Sequence, residues 1–153
     1  MAIPASAIGT TLPPSHAVVE RGRLRFFAES IGETTPRTID VDAAIEAGYP
    51  DLPVLPTFLF GLELEQSDPF GWMNDLGVDL RFVLHGTQRF DYHRMAFAGD
   101  ELVLQPRITD VYEKRGGALE FLVVETEVTR GGEAIATLTK TIVVRHPERE
   151  VAA

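Results

Sequence analysis

The segment from residue 56 to residue 66 reads PTFLFGLELEQ. Pro56 suits the first turn of a helix, where a missing N–H costs nothing. Phe58, Leu59, Phe60 and Leu62 follow so closely that apolar groups surround the start of the helix almost completely. A helix apolar on all sides is a buried helix. The stretch before it, YPDLPVLP at 49–56, holds three prolines and is neither helix nor central strand. Residues 67–80, with Pro69, Gly71, Trp72, Met73 and Gly77, read as a loop.

Beyond that loop the pattern changes period. Residues 83–94, 101–114, 118–130 and 133–145 are rich in β-branched residues and partly alternate. Phe121, Val123 and Glu125 are expected on one face, Leu122, Val124 and Thr126 on the other. Gly116-Gly117 and Gly131-Gly132 signal tight turns, so the last three strands form an antiparallel meander. Upstream, residues 16–31 read as a helix with Val18, Val19, Leu24, Phe27, Ala28 and Ile31 on its apolar side and Gly32 as its stop. Residues 33–40 read as a polar loop around Pro36, and 41–48 as a short helix ending at Gly48. A strand near residues 10–12 cannot be placed from the pattern. One buried helix followed by long antiparallel strands implies an α+β fold, a curved sheet around a central helix. The expected organisation is a flexible lead-in at 1–15, one domain at 16–147 and a flexible tail at 148–153.

The 153 residues suffice for one domain with its own core. A net charge of −9 disfavours nucleic acid and anionic lipid surfaces. No long apolar run suggests a membrane span, and the proline-broken start lacks the features of a signal peptide. The absence of cysteine excludes disulfides and thiolate chemistry, and fits a reducing cytoplasm. No metal-ligand spacing and no phosphate-cradling glycine loop is visible, so neither a metal nor a cofactor is expected.

Four stretches, in order, carry a resemblance: LRFFAESIGETTPRTIDVDAAIEAGY (24–49), LPVLPTFLFGLE (52–63), LHGTQRFDYHRMAFAGDEL (84–102) and ITDVYEKRGGALEFLVVETEV (108–128). Together they resemble the N-terminal-type (FAS1-like) domain of MaoC-like dehydratases. The resemblance implies a hot-dog fold, an acyl-thioester substrate and R-specific hydration or dehydration of the enoyl/3-hydroxyacyl pair.

Active members of that family carry G-D-x-N-P-x-H, whose Asp and His share the proton traffic of hydration. The matching residues here run from Gly32 to Thr38, GETTPRT. Glu33 stands at the Asp position, Thr35 at the Asn position and Thr38 at the His position. A hydroxyl does not titrate near neutrality, so Thr38 cannot replace imidazole. Either the loop is catalytically dead, or Glu33 acts as a lone base helped by water or another His. His85 and His93, eight residues apart, are expected on one strand face. They act either as structural hydrogen-bonding groups or as lining of a thioester channel. His85-Gly86-x-Gln88 recurs in the subfamily and singles out His85 and Gln88. His16 and His146 are expected to be solvated. The resemblance places a carbonyl-binding backbone N–H at Thr57, where active members more often carry Gly; the alternative is that Thr57 simply starts the helix. Phe58 and its neighbours are either core or the wall of an acyl tunnel. Arg94, Arg107 and Lys114 are either coenzyme A phosphate contacts or solvated charges.

In the family two hot dogs pair, and some pairs join a catalytic chain to one without the dyad. This sequence resembles the second kind. The partners expected are an acyl-CoA or acyl-carrier-protein thioester and a second hot-dog chain, in a homodimer or in a heterodimer with a dyad-bearing partner. The alternatives are a self-sufficient hydratase using Glu33, a non-enzymatic acyl-thioester binding module and an acyl-CoA thioesterase.

Overall fold

The structure, a computed structural model, describes residues 3–147. In chain order the elements are β1 (Ser15–Val18), α1 (Arg21–Ser30), α2 (Pro36–Ile39), α3 (Val41–Glu46), α4 (Phe58–Glu63), α5 (Gly71–Asp75), β2 (Val83–Tyr92), β3 (Glu101–Lys114), β4 (Leu119–Arg130) and β5 (Glu133–Arg145). The five strands form one antiparallel sheet in the order β1-β3-β4-β5-β2. β3, β4 and β5 are the expected meander, and β2 closes the far edge beside β5. The sheet curls round α4, whose Leu59 and Leu62 are each 1% exposed. This is the hot-dog fold.

Alternation along the strands decides what faces α4. On β4, Glu120, Leu122, Val124, Thr126 and Val128 are buried, while Phe121, Val123 and Glu125 lie on the opposite, partly exposed face. Two apolar clusters result. One gathers Phe58, Leu59 and Leu62 with Leu24, Leu102, Leu104, Val128 and Leu138. The other gathers Met73, Val78, Ile108, Leu122 and Ile142 with Ile3, Ala7 and Leu12.

One irregularity positions functional groups. The pairing of β2 with β5 slips between His85 and Thr87, so Gly86 is an extra residue on β2. A Cβ there would lie 3.0 Å from the Thr141 carbonyl oxygen and 3.0 Å from a Val143 methyl, which is why glycine occupies the bulge. The bulge reverses side-chain parity. His85 before it and Gln88 and Phe90 after it therefore line the same groove, with Phe90 packed on the α4 cluster.

Several expectations differ from the structure. Residues 15–18 are a strand, not the start of a helix: Ser15 pairs with Leu104 and Val18 with Glu101. The backbone edge of β3 needs partners, and β-branched Val18 suits a strand better than a helix. The helix begins only after Glu20. Residues 3–14, expected as a flexible lead-in, pack Ile3, Ala7 and Leu12 into the second cluster; the expected tail at 148–153 lies outside the described residues. The polar loop at 33–40 contains α2, started by Pro36, and the loop at 67–80 contains α5, anchored by buried Met73. His146 is buried rather than solvated. Its ring Nε2 meets Oε2 of Glu120, while the Ile3 amide donates to Oε1 of the same carboxylate at 2.9 Å. Glu120 points inward on β4, and a buried carboxylate needs such partners.

Candidate functional site

An open groove of about 610 Å³ runs between α1, the first half of α4 and β2. Thr57, Phe58, His85 and Gln88, four residues singled out from the sequence, line it together. α1 adds Phe26 and Phe27. Phe27 meets Phe58 edge-to-face at 5.4 Å, and Phe26 is 73% exposed. Successive helical residues point about 100° apart, so a Phe-Phe pair cannot sit on one narrow buried stripe. That was the available signal that α1 offers an apolar side chain to something besides its own core.

Of the groove's polar groups, Arg23 pairs with Glu65 and the Ser30 hydroxyl donates to the Phe27 carbonyl at 2.8 Å, while His85 and Gln88 keep unused capacity. The His85 ring Nε2 lies 3.0 Å from the Thr87 carbonyl oxygen. A carbonyl only accepts, so Nε2 donates here and Nδ1 is the ring nitrogen left for another partner. The ring also packs against Phe60 at 5.2 Å. The Gln88 amide nitrogen donates to the Arg89 carbonyl at 3.4 Å, and its Oε1 is buried with no partner.

Thr57, at the N-terminal end of α4, has φ 72°, in the left-handed region where glycine is at ease. The glycine usual at this position in the resembling family has its conformational explanation here. The Thr57 amide is already used: it donates to the Tyr92 hydroxyl at 2.8 Å. Tyr92, at the end of β2, thus covers the expected carbonyl donor.

The other predicted residues lie elsewhere. The Thr35 amide donates to Glu33 Oε1 at 2.6 Å, and the Thr38 hydroxyl donates to the Thr35 carbonyl at 2.7 Å. Hydrogen bonds from Thr35 hold the Glu33 carboxyl below the usual carboxylate range. That is the opposite of what a general base working near neutrality requires. Neither Glu33 nor Thr38 lines the groove. Arg94 lines a separate cleft of about 460 Å³ with Val54, Leu59 and Tyr92, and pairs with Glu133 at 2.7 Å. Lys114 sits over the Tyr112 and Phe121 rings, and exposed Arg107 is paired in register with Glu125. The three cations do not converge. His93 does not share the groove with His85. It follows the end of β2 with parity shifted by the bulge, and its Nε2 meets the Thr137 hydroxyl at 2.9 Å.

The family described as the FAS1-like dehydratase domain region matches residues 6–138. The chain belongs to that family. A UPF0336 protein of Saccharopolyspora erythraea is 37% identical over 147 residues, covering 95% of this chain and 93% of that one. Among solved structures of MaoC-like and related dehydratases, the C-terminally truncated HadBC (3R-hydroxyacyl-ACP dehydratase) complex of Mycobacterium tuberculosis is similar at TM-score 0.74 and 27% identity. That match spans 90% of this chain and 96% of the HadBC chain. The ChsH1–ChsH2 complex of the same organism shares the fold at TM-score 0.74 and 21% identity, over 92% of this chain and 86% of that one. No helix among the described residues is long and apolar enough to cross a membrane.

Proposed function

We propose that this chain is the thioester-holding subunit of an R-specific enoyl/3-hydroxyacyl hydratase-dehydratase, working beside a second hot-dog chain that carries the Asp/His pair. The observation that carries this reading is where the polar groups are spent. In the loop from Gly32 to Thr38 both candidate catalytic groups are bonded to Thr35. In the groove, Gln88 Oε1 is unpartnered and His85 has one ring nitrogen to offer. The loop is built to hold its own shape, the groove to hold a ligand.

In this reading Phe26, Phe27 and Phe58 cover the acyl chain, and Gln88 accepts from an amide or hydroxyl of the bound thioester. The thioester carbonyl either displaces Tyr92 from the Thr57 amide or takes its hydrogen bond from the Tyr92 phenol. Arg94 meets a coenzyme A or carrier-protein phosphate only after leaving Glu133. Pairing has its own support. β2 is a ten-residue edge strand with much of its length exposed, and an edge of that length invites a second sheet. Two similar solved structures are described as complexes.

Co-expression with a MaoC-like chain bearing an intact G-D-x-N-P-x-H tests this. The expected result is a stable complex that hydrates crotonyl-CoA or longer enoyl-CoA, with this chain alone at background. Failure to associate, with activity still at background, defeats the proposal. Release of free thiol from acyl-CoA in the same assay would point to a thioesterase instead.

A further inference from the structure

A second chamber adjoins the groove. Phe60 and His85, whose rings pack at 5.2 Å, line the groove on one face and on the other a smaller chamber of about 90 Å³ toward the C-terminal end of α4. Leu64, Phe70, Met73, Val83 and Ile142 make that chamber apolar. Its wall also includes Glu63 and Lys140, which is an unexpected place for charge.

The two form an ion pair, Lys140 Nζ to Glu63 Oε2 at 2.8 Å, with side chains 15% and 4% exposed. The pair is incompletely satisfied. Glu63 Oε1 is buried with no hydrogen-bond partner. An ammonium has three N–H donors, and the bond to Glu63 uses one. The same pair borders a polar recess of about 60 Å³ shared with Ser15 and Gln66, and the Ser15 hydroxyl is likewise buried without a partner. An apolar ligand end would leave these groups unsatisfied, which is costly in a buried setting. A hydroxyl matches them: it donates to Glu63 Oε1 and accepts from Lys140.

We propose that Glu63 and Lys140 select thioesters whose acyl chain carries a hydroxyl at its far end. The inference rests on the thioester-holding reading. The six residues from Phe58 to Glu63 advance about 9 Å along the helix axis, which suits a chain on the order of eight carbons.

The test is titration calorimetry of the full chain with octanoyl-CoA and with ω-hydroxyoctanoyl-CoA. The wild-type protein is expected to bind the hydroxylated ligand about tenfold more tightly, the scale of one hydrogen bond to a charged group. Glu63→Leu combined with Lys140→Met replaces the pair by apolar groups and leaves no unpaired charge behind. It is expected to bind octanoyl-CoA as well as wild type and to lose the preference. Glu63→Gln, which keeps the shape and an acceptor oxygen, is expected to retain part of the preference and covers the case in which the double variant does not fold. Equal affinity for both ligands in the wild type, or a preference that survives the double substitution, overturns the proposal and leaves the thioester reading standing. If neither ligand binds, the thioester reading fails and this inference falls with it.

Discussion

The loop from Gly32 to Thr38 and the groove between α1, α4 and β2 differ in one respect: the candidate polar groups of the loop are bonded within it, whereas the groove keeps a buried acceptor without a partner. In the loop, Glu33 and Thr38 are both bonded to Thr35, and the carboxyl is held in its charged form. In the groove, Gln88 Oε1 is buried without a partner, while the Thr57 amide donates to the Tyr92 hydroxyl. A satisfied polar group shapes the chain; an unsatisfied one beside an open apolar cleft is available to a ligand. Under the proposed function, the groove holds the substrate and the loop takes no part in transforming it.

The contrast can be broken most directly by filling the groove. A Cβ on Gly61 would meet nothing within 4 Å, so Gly61→Trp projects into open space. It is expected to weaken acyl-CoA binding at least about a hundredfold, two lost steps of tenfold affinity, with an unchanged circular-dichroism spectrum. Unaltered affinity would place the ligand elsewhere. Gln88→Leu sharpens the picture by removing a single hydrogen-bonding group. Calorimetry is expected to show about a tenfold loss, the value of one hydrogen bond. Tyr92→Phe removes the acceptor of the Thr57 amide and is expected to lower stability by about 1 kcal/mol or less in urea unfolding. Affinity is expected to rise or hold where the thioester carbonyl takes the Thr57 amide, and to fall about tenfold where it takes its hydrogen bond from the Tyr92 phenol.

The loop is expected to answer only to acid. The Glu33 carboxyl is depressed in the folded chain, so its contribution to stability is present above the carboxylate's ordinary pKa. It is lost as pH falls through the depressed folded value. Glu33→Gln is therefore expected to flatten the acid side of the stability profile and to change thioester affinity less than about twofold, within the scatter of a distant surface substitution. A large loss of affinity would tie the loop to the ligand.

The architecture was largely legible in the sequence because its determinants are local. All-round apolarity at 56–66 marks a buried helix, and period-two patterns beyond residue 83 mark strands. What failed depended on distant partners. Residues 15–18 become a strand because β3 offers an edge, and His146 is buried because Glu120 points inward. His85 and His93 part company through a one-residue bulge at Gly86, which a regular alternation count cannot register. Within the site, residue types were readable and their engagement was not. Nothing in the sequence indicates that the Tyr92 hydroxyl reaches the Thr57 amide 35 positions away, or that Lys140 crosses to Glu63.

The central claim is that this chain holds an acyl thioester in the groove and takes no chemical part through the Gly32–Thr38 loop. Amide chemical-shift mapping with a non-reactive thioether analogue of an enoyl-CoA tests it most directly. The account predicts saturable shifts at Gly61, Gln88 and Phe90, with Glu33 to Thr38 unmoved. Shifts concentrated at Glu33 and Thr38, with the groove silent, would contradict it.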